Sequence, residues 1–475
     1  MATSEMPVSA MAAVPPARSA PRPGRRTRAK SCMTLAYRIA RVDASDAARE
    51  ISCGAPRAAL RARYLVVAGK ASHTGPMSYE APFAGLKVVD LSQGIAGPYC
   101  AMLLAQYGAD VIKVEQPGEG DWARVLGTRY GDHSAFSVVG NVGKKSLALD
   151  LKSAAGKDVL WRLIEGADVF IEGFKPGTIQ RLGFGWDAVS ARAPRLLYLS
   201  ISGFGQIGPL ADRPAMDPVL QAYTGLMMEN KGEDGVPHRV PVIVVDMSTA
   251  LYAFQGLSAA LYARRDEARG RYLDASLMQS AAALQSIRMM ATLLEGGPMK
   301  PGGVPGGVFR TADGWMNVVA ISDRHWQALC RALGDPDRAH DLRFATREAR
   351  FTHEAELYAW LRPALAARTS GDLDIALSRE GVMHERLLSY PEFVAEPQVA
   401  ATGLLAWLKQ PGLPARVPLP NLPGMTPPGD GTARGTAPTV GQHSREILER
   451  HGYSLVEIES LIAGGTVGAK PAVAG

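Results

Sequence analysis

PVIVVDMSTALYAFQGLSAALYARR, residues 241–265, sets a short β-forming run against a long helical pattern, and the acid between them organises the rest of the chain. Val242 to Val245 have β-forming character, and directly after Asp246 the apolar residues Ala250, Phe254, Leu257 and Leu261 recur at helical spacing. This predicts a strand that hands over to a helix at Asp246. No further charge follows until Arg264, so the acid stands at the positive end of the helix dipole and Arg264 and Arg265 at the negative end. Aspartate there is a preferred N-cap. An ionised carboxylate in apolar surroundings is also a competent nucleophile, and one side chain can serve as both.

Working outward, Leu86–Leu91 reads as a buried strand, Ser92–Pro98 as a tight loop, Tyr99–Gln106 as a helix stopped near Gly108, and Asp110–Glu115 as a second strand. That is a βαβ unit, with parallel strands and a right-handed connection. Strands at Ser146–Asp150, Asp168–Glu172, Leu196–Ser202 and Tyr272–Ala275, with a helix at Ala154–Glu165, continue the alternation. The expected fold class is α/β, an open, mostly parallel, Rossmann-like sheet covered by helices. Pro and Gly crowd together after Gly296, which marks a passage between domains. Beyond it, VFRTADGWMNVVA predicts a hairpin turning at Asp313 and Gly314, followed by short helices, in a smaller α+β domain. Pro411–Pro438 reads as an extended strap, and Ser454 with Glu457 as a capping box opening a final helix. The expected division is an extension at 1–76, a large domain at 82–288, a linker at 289–301, a small domain at 302–398 and a returning segment at 399–467.

The net charge of +6 over 475 residues is unevenly spread. Residues 1–76 hold 13 Lys or Arg against 4 acids, a balance of +9, which leaves −3 for the remainder. A basic surface for nucleic acid is therefore not a property of the folded body. The extension is Arg-rich and acid-poor, a composition shared by transit peptides, disordered tails and a start placed upstream of Met77. Cys32, Cys53, Cys100 and Cys330 lie far apart without CxxC, which argues against a zinc site or a disulfide framework and fits a reducing cytoplasm. The longest uncharged run, Met247–Ala263, is too short and too polar for a membrane span.

Gly94 and Gly97 lie between a strand and a helix, where backbone N–H groups can face a phosphate, although turn geometry explains such a pair as readily. Glu115 ends the next strand where a dinucleotide fold keeps its ribose-binding acid, yet G-x-G-x-x-G and the Walker signature are absent, which disfavours a nicotinamide oxidoreductase. Lys144, Lys145 and Arg181 near strand ends suit a phosphorylated cofactor or a solvated surface. His133 in GDHSAF reads as a surface histidine or a general base. No histidine pair has metal spacing, and no G-x-S-x-G elbow is present. Gly302, Gly303, Gly306 and Gly307 form either a linker or a run of amides able to hold a reacting carbonyl oxygen.

Several motifs in order carry a resemblance. They are GLKVVDLSQGIAGPYCAMLLAQYGADVIKVEQPGEGD, NVGKKSLALDLKSAAGKDVL, ADVFIEGFKPGTIQRLGFGW, LSISGFGQIGPLADRPAMDP, EPQVAATGLL and GQHSREIL. From about Pro82 to Val467 the chain resembles the family III CoA-transferases, the group of formyl-CoA transferase and the carnitine CoA-transferases. The resemblance implies that Asp246 is the catalytic residue and that Gly94, Ile95, Leu149, Gly173, Phe174, Arg181 and Leu182 line a coenzyme A site. It also implies that Gly302–Gly307 serves as the family's glycine loop, although Val304 and Pro305 interrupt the pattern. Gln116 stands where formyl-CoA transferase has an arginine. The implied partners are an acyl-CoA donor and a carboxylic acid acceptor, with no tightly bound cofactor, no metal and an interlaced homodimer. α-Methylacyl-CoA racemases are similar too, but carry a His-Asp pair where this chain has Met216-Asp217, and a racemase needs a base on each face of the α-carbon. A non-catalytic CoA-binding protein is the remaining alternative. Met227, Met228 and Met247, near the matched site in sequence, suggest a partly apolar pocket or ordinary core.

Overall fold

A computed structural model describes residues 81–469 except 233, 298, 300 and 301, so the basic extension 1–76 lies outside the described residues. Seven strands build the main sheet: β1 (Lys87–Asp90), β2 (Asp110–Glu115), β3 (Lys145–Leu149), β4 (Val169–Glu172), β5 (Leu197–Ser202), β6 (Tyr272–Ser276) and a C-terminal strand, Val467–Gly468. Their spatial order is C-terminal strand, β3, β2, β1, β4, β5, β6. All neighbours are parallel except the C-terminal strand, which runs antiparallel to β3. Successive residues point to opposite faces: Val88 enters a core with Val111, Ile171 and Leu199, while Val89 joins one with Ile112, Leu147 and Phe170. Burial on both faces explains why β1 to β5 read as continuous apolar runs rather than alternating ones.

Two helices fill the first of these cores. Helix α1 (Ala96–Gln106) is buried along nearly its whole length and packs against the helix Val244–Ala263 through Cys100, Ala101 and Leu104 on one side and Ala250, Ala253 and Leu257 on the other. Small residues at this contact let the two backbones approach closely. The helix begins three residues earlier than the sequence suggested, and Val242–Val245 form no strand. The reason is a distant cap: from the short helix α2 (Asp217–Tyr223), the Asp217 carboxylate accepts from the N–H groups of Val245 at 2.7 Å and Asp246 at 3.1 Å. Two donors of the first turn are satisfied there, which outweighs the modest β preference of four branched residues. We label this helix α3; α4 (Leu277–Leu284) follows β6 directly.

A third core of Trp326, Leu329, Phe344, Leu361 and Leu377 belongs to a smaller three-stranded antiparallel sheet, β7 (Gly306–Arg310), β8 (Trp315–Val319) and β9 (Met383–Arg386), with its helices. The hairpin turns at Asp313 and Gly314 as the sequence indicates, with the Thr311 N–H donating to the Gly314 carbonyl. Residues 289–295, read as linker, lie instead in the helix Ser286–Glu295; Pro and Gly accumulate only after it. The strap is likewise not wholly irregular. Val417–Pro420 pairs antiparallel with Leu405–Leu408, its two prolines tolerated because a two-stranded ribbon leaves edges unpaired. Among the described residues, no helix is long and apolar enough to cross a membrane.

Candidate active site

β1 leads on to β2 and β3 in one direction across the sheet, whereas β4 leads to β5 and β6 in the other, so the order reverses between β1 and β4. In an open α/β sheet, the crevice beyond the carboxyl ends of the strands at that reversal is where ligands bind. A cavity of about 290 Å³ lies there, walled by the loops after β1, β4 and β5 and by the start of α3. Asp246 lines it from the first turn of α3, inside the helix rather than at its cap. Partly buried, its carboxyl is pushed up to about 7, first by loss of solvent and then by the neighbouring charge of Asp217. The helix dipole opposes that rise.

Ile95, Gly173 and Phe174 share this cavity with Asp246. Leu149, Leu182 and again Phe174 line an adjoining cavity of about 490 Å³, which also takes in Gln116 and Lys152. Gln93 and Phe174 belong to both walls, so the two spaces meet at these side chains. Arg181 lines neither and donates to the Thr178 hydroxyl at 2.8 Å. The Gly94 N–H, expected to face a phosphate, is taken by Asp121 at 2.9 Å. Gly94 adopts φ +80°, and a Cβ there would sit 2.3 Å from the Trp122 indole, so only glycine fits beneath that ring.

None of the four loop glycines lines the Asp246 cavity. Gly306 and Gly307 open β7; the Gly306 N–H donates to the Tyr358 hydroxyl, which in turn donates to the Gly306 carbonyl at 2.9 Å. Gly303 packs against Ile321, and the Gly302 carbonyl accepts from Arg347. Met216 lines the Asp246 cavity, whereas Met227, Met228 and Met247 do not. His133 is buried rather than superficial and borders neither cavity. Glu115 is unavailable to a ribose: Arg124 grips both its oxygens at 2.7 Å and Ser146 donates to one of them. Cys100 and Cys330 are free and buried, and among the described residues no group of His, Cys, Asp and Glu could hold a metal ion.

Beneath the Ser92–Pro98 loop lies a buried ionic cluster that inspection of the sequence missed. Lys144 pairs with Asp90 at 2.7 Å, and Lys113 with Asp121 at 2.9 Å. Lys113 also donates to the Ser92 carbonyl, and Asp90 accepts from both the N–H and the hydroxyl of Ser92. With Asp121 on the Gly94 N–H and Lys144 donating to the Pro98 carbonyl at 2.8 Å, the loop is pinned by four side chains, which fixes Ile95 and Gly97 at the cavity wall before any ligand arrives. Burial pulls the Lys144 amine down to about 8 against the opposing pull of Asp90. A lysine inside the apolar run Val111–Val114 was the available signal, since such a charge is rarely buried unpaired.

Comparison with known proteins identifies the family. The pattern of CoA-transferase family III matches residues 83–444. The chain is 34% identical over 356 residues to the acetyl-CoA:oxalate CoA-transferase of Acetobacter aceti, covering 73% of this chain and 92% of that protein. It is 32% identical to the succinyl-CoA–D-citramalate CoA-transferase of Chloroflexus aurantiacus, with 77% and 93% covered. The crystal structure of a CaiB/BaiF family protein from Brucella suis superposes with a TM-score of 0.70 at 30% identity, over 78% of this chain and all of that one.

Proposed function

This chain belongs to CoA-transferase family III, an enzyme that moves CoA from an acyl-CoA to a free carboxylic acid, and we propose that Asp246 carries the transfer as a covalent nucleophile. The observation that carries the proposal is its position: a carboxylate in the first turn of α3, facing a cavity at the switch point of the sheet. The Asp246 carboxylate attacks the thioester carbonyl of the donor; the C–S bond breaks, giving an aspartyl mixed anhydride and CoA thiolate. The thiolate attacks the aspartyl carbonyl, forming an aspartyl-CoA thioester and releasing the donor acid. An acceptor carboxylate then attacks that thioester, and the freed thiolate takes the new acyl group and restores Asp246. Each activated acyl bond is exchanged for another of similar energy, so the protein supplies positioning, charge stabilisation and exclusion of water.

The adjoining cavities support a course for CoA past Phe174, with Leu149 and Leu182 along the cofactor and Ile95 and Gly173 beside the reacting thioester. Gly94 serves this site through the loop it shapes, and Arg181 and the glycines 302, 303, 306 and 307 would complete it on closure. An interlaced homodimer in the cytoplasm is part of the same proposal; the exposed Ile287, Met290, Leu293 and Leu294 on one helix support an apolar contact between chains. Met216 at the cavity wall disfavours a racemase, because a thioether cannot serve as the second base. Incubating the protein with an acyl-CoA and an isotopically labelled acid, without ATP, tests the proposal. Label should enter the CoA ester with wild type and not with Asp246→Ala; full exchange by the variant refutes the role of Asp246.

A further inference from the structure

Three polar side chains stand in a row near the carboxyl ends of the strands that lead into the Asp246 cavity. Glu172 ends β4, Ser200 is its register partner on β5, and Asp274 is the partner of Ser200 on β6. Glu172 and Ser200 are buried, and Glu172 shares its face of β4 with Phe170, which enters an apolar core. The Glu172 carboxyl accepts at one oxygen from the Ser200 hydroxyl and at the other, at 2.9 Å, from the Phe174 N–H. The Ser200 oxygen in turn accepts from the Gln206 side-chain amide at 2.8 Å, and the Gln206 N–H donates to Asp274 at 3.2 Å. Both donors to Glu172 are uncharged, and burial pushes its carboxyl up to about 7 against their pull, with the charge of Asp274 adding to the rise. Neutral donors offset the burial of a carboxylate less well than a cation does, so this acid costs the fold stability, as a group kept for a site does.

The backbone these bonds hold is the cavity wall. Phe174 borders both cavities and Gly173 the one at Asp246, whereas Gln206 belongs to the loop after β5 that supplies Gly203 and Ala215. Glu172 itself lines neither cavity. Resting on CoA transfer at Asp246, we propose that Glu172 is a positioning residue for coenzyme A: its carboxyl ties the loop after β4 to the loop after β5 and so presets the Gly173–Phe174 wall along which the cofactor lies. Removing the acceptor frees the Phe174 N–H to turn toward water, and the wall-forming conformation becomes one of several. Apparent affinity then falls in proportion to the fraction of molecules that keep that conformation. Because the carboxyl stands behind the wall, turnover of substrate already bound changes little.

Two substitutions separate the acceptor from the bulk. Glu172→Leu keeps the volume without an acceptor, and Glu172→Gln keeps an amide oxygen for the Phe174 N–H. Calorimetric titration with CoA should give a Kd about tenfold higher for Glu172→Leu, and acyl-CoA:acid exchange a matching rise in KM for acyl-CoA with kcat within about twofold of wild type. Glu172→Gln should bring Kd and KM back to within about threefold of wild type, and at pH 8 it should melt no lower than wild type, since it removes a buried charge. Ser200→Ala cuts the same tie more gently; it should raise KM about threefold, and it decides the matter if the leucine variant does not fold. Unaltered Kd and KM in Glu172→Leu, a loss confined to kcat, or no rescue by glutamine overturns the positioning role while leaving CoA transfer intact. If the wild-type protein neither binds CoA nor exchanges it between acids, the transfer proposal fails, and this one with it.

Discussion

Replacing Asp246 by asparagine should make the protein more stable and inactive at once, and the gain should depend on pH. The carboxyl is moved from 3.8 to about 7 by burial and by Asp217. At about 1.36 kcal/mol per unit, that shift sets an upper limit on the order of 4 kcal/mol for the cost of holding the ionised side chain in the folded state. The sign follows from the direction. Between about pH 4 and pH 7 the folded protein keeps a proton that the unfolded chain has lost, so wild-type stability falls as pH rises across this window and levels off above it. Asparagine has no such titration, although it forfeits roughly 0.3–1 kcal/mol of favourable interaction with the dipole of α3. The advantage of Asp246→Asn over wild type should therefore grow by on the order of 2–3 kcal/mol between pH 5 and pH 8. Urea unfolding at the two pH values measures it. An advantage that stays constant, or shrinks with rising pH, refutes the assignment of a raised carboxyl at this position.

Asp217→Asn keeps an acceptor for the Val245 and Asp246 N–H groups but removes the charge. The pH at half-maximal kcat/KM should shift downward, whereas Asp217→Ala, which loses the acceptor too, should cost about 1–2 kcal/mol in denaturant unfolding. Gly94→Ala places a methyl group against Trp122 at a left-handed backbone, so the melt should drop by the equivalent of about 1–3 kcal/mol and KM for acyl-CoA should rise. Asp90→Ala strands the buried Lys144 amine and should cost about 3–5 kcal/mol, with most of the loss recovered in Asp90→Ala/Lys144→Met. Equal instability of the single and double variants would contradict that pairing.

The sheet was legible because its strands are buried on both faces. Lys87–Asp90, Asp110–Glu115 and Val169–Glu172 each show an apolar run that local sequence alone exposes. Capping by neighbours was legible because its partners lie close in sequence, as Ser454 and Glu457, three residues apart, show. What depends on distant residues was not. Val242–Val245 satisfy a strand pattern, and only the Asp217 carboxylate, 28 residues away from Val245 in sequence, makes the helix start among them. Lys144 reads as surface charge until the fold brings Asp90 beneath it across 54 residues. Asp246 itself was singled out by its place before an apolar helix, and the resemblance then gave it a chemical role. The cavity it lines draws on segments that follow β1, β2, β4, β5 and β6, a convergence that no stretch of sequence contains.

The central claim is a transient bond between the Asp246 carboxyl and the acyl or CoA group in transit. Turnover in the presence of hydroxylamine, followed by proteolysis and mass spectrometry, measures it directly. The account predicts a hydroxamate on Asp246 that appears with a productive acyl-CoA and not with CoA alone. Modification confined to another residue, or none while transfer proceeds and the enzyme tolerates the reagent, would contradict it.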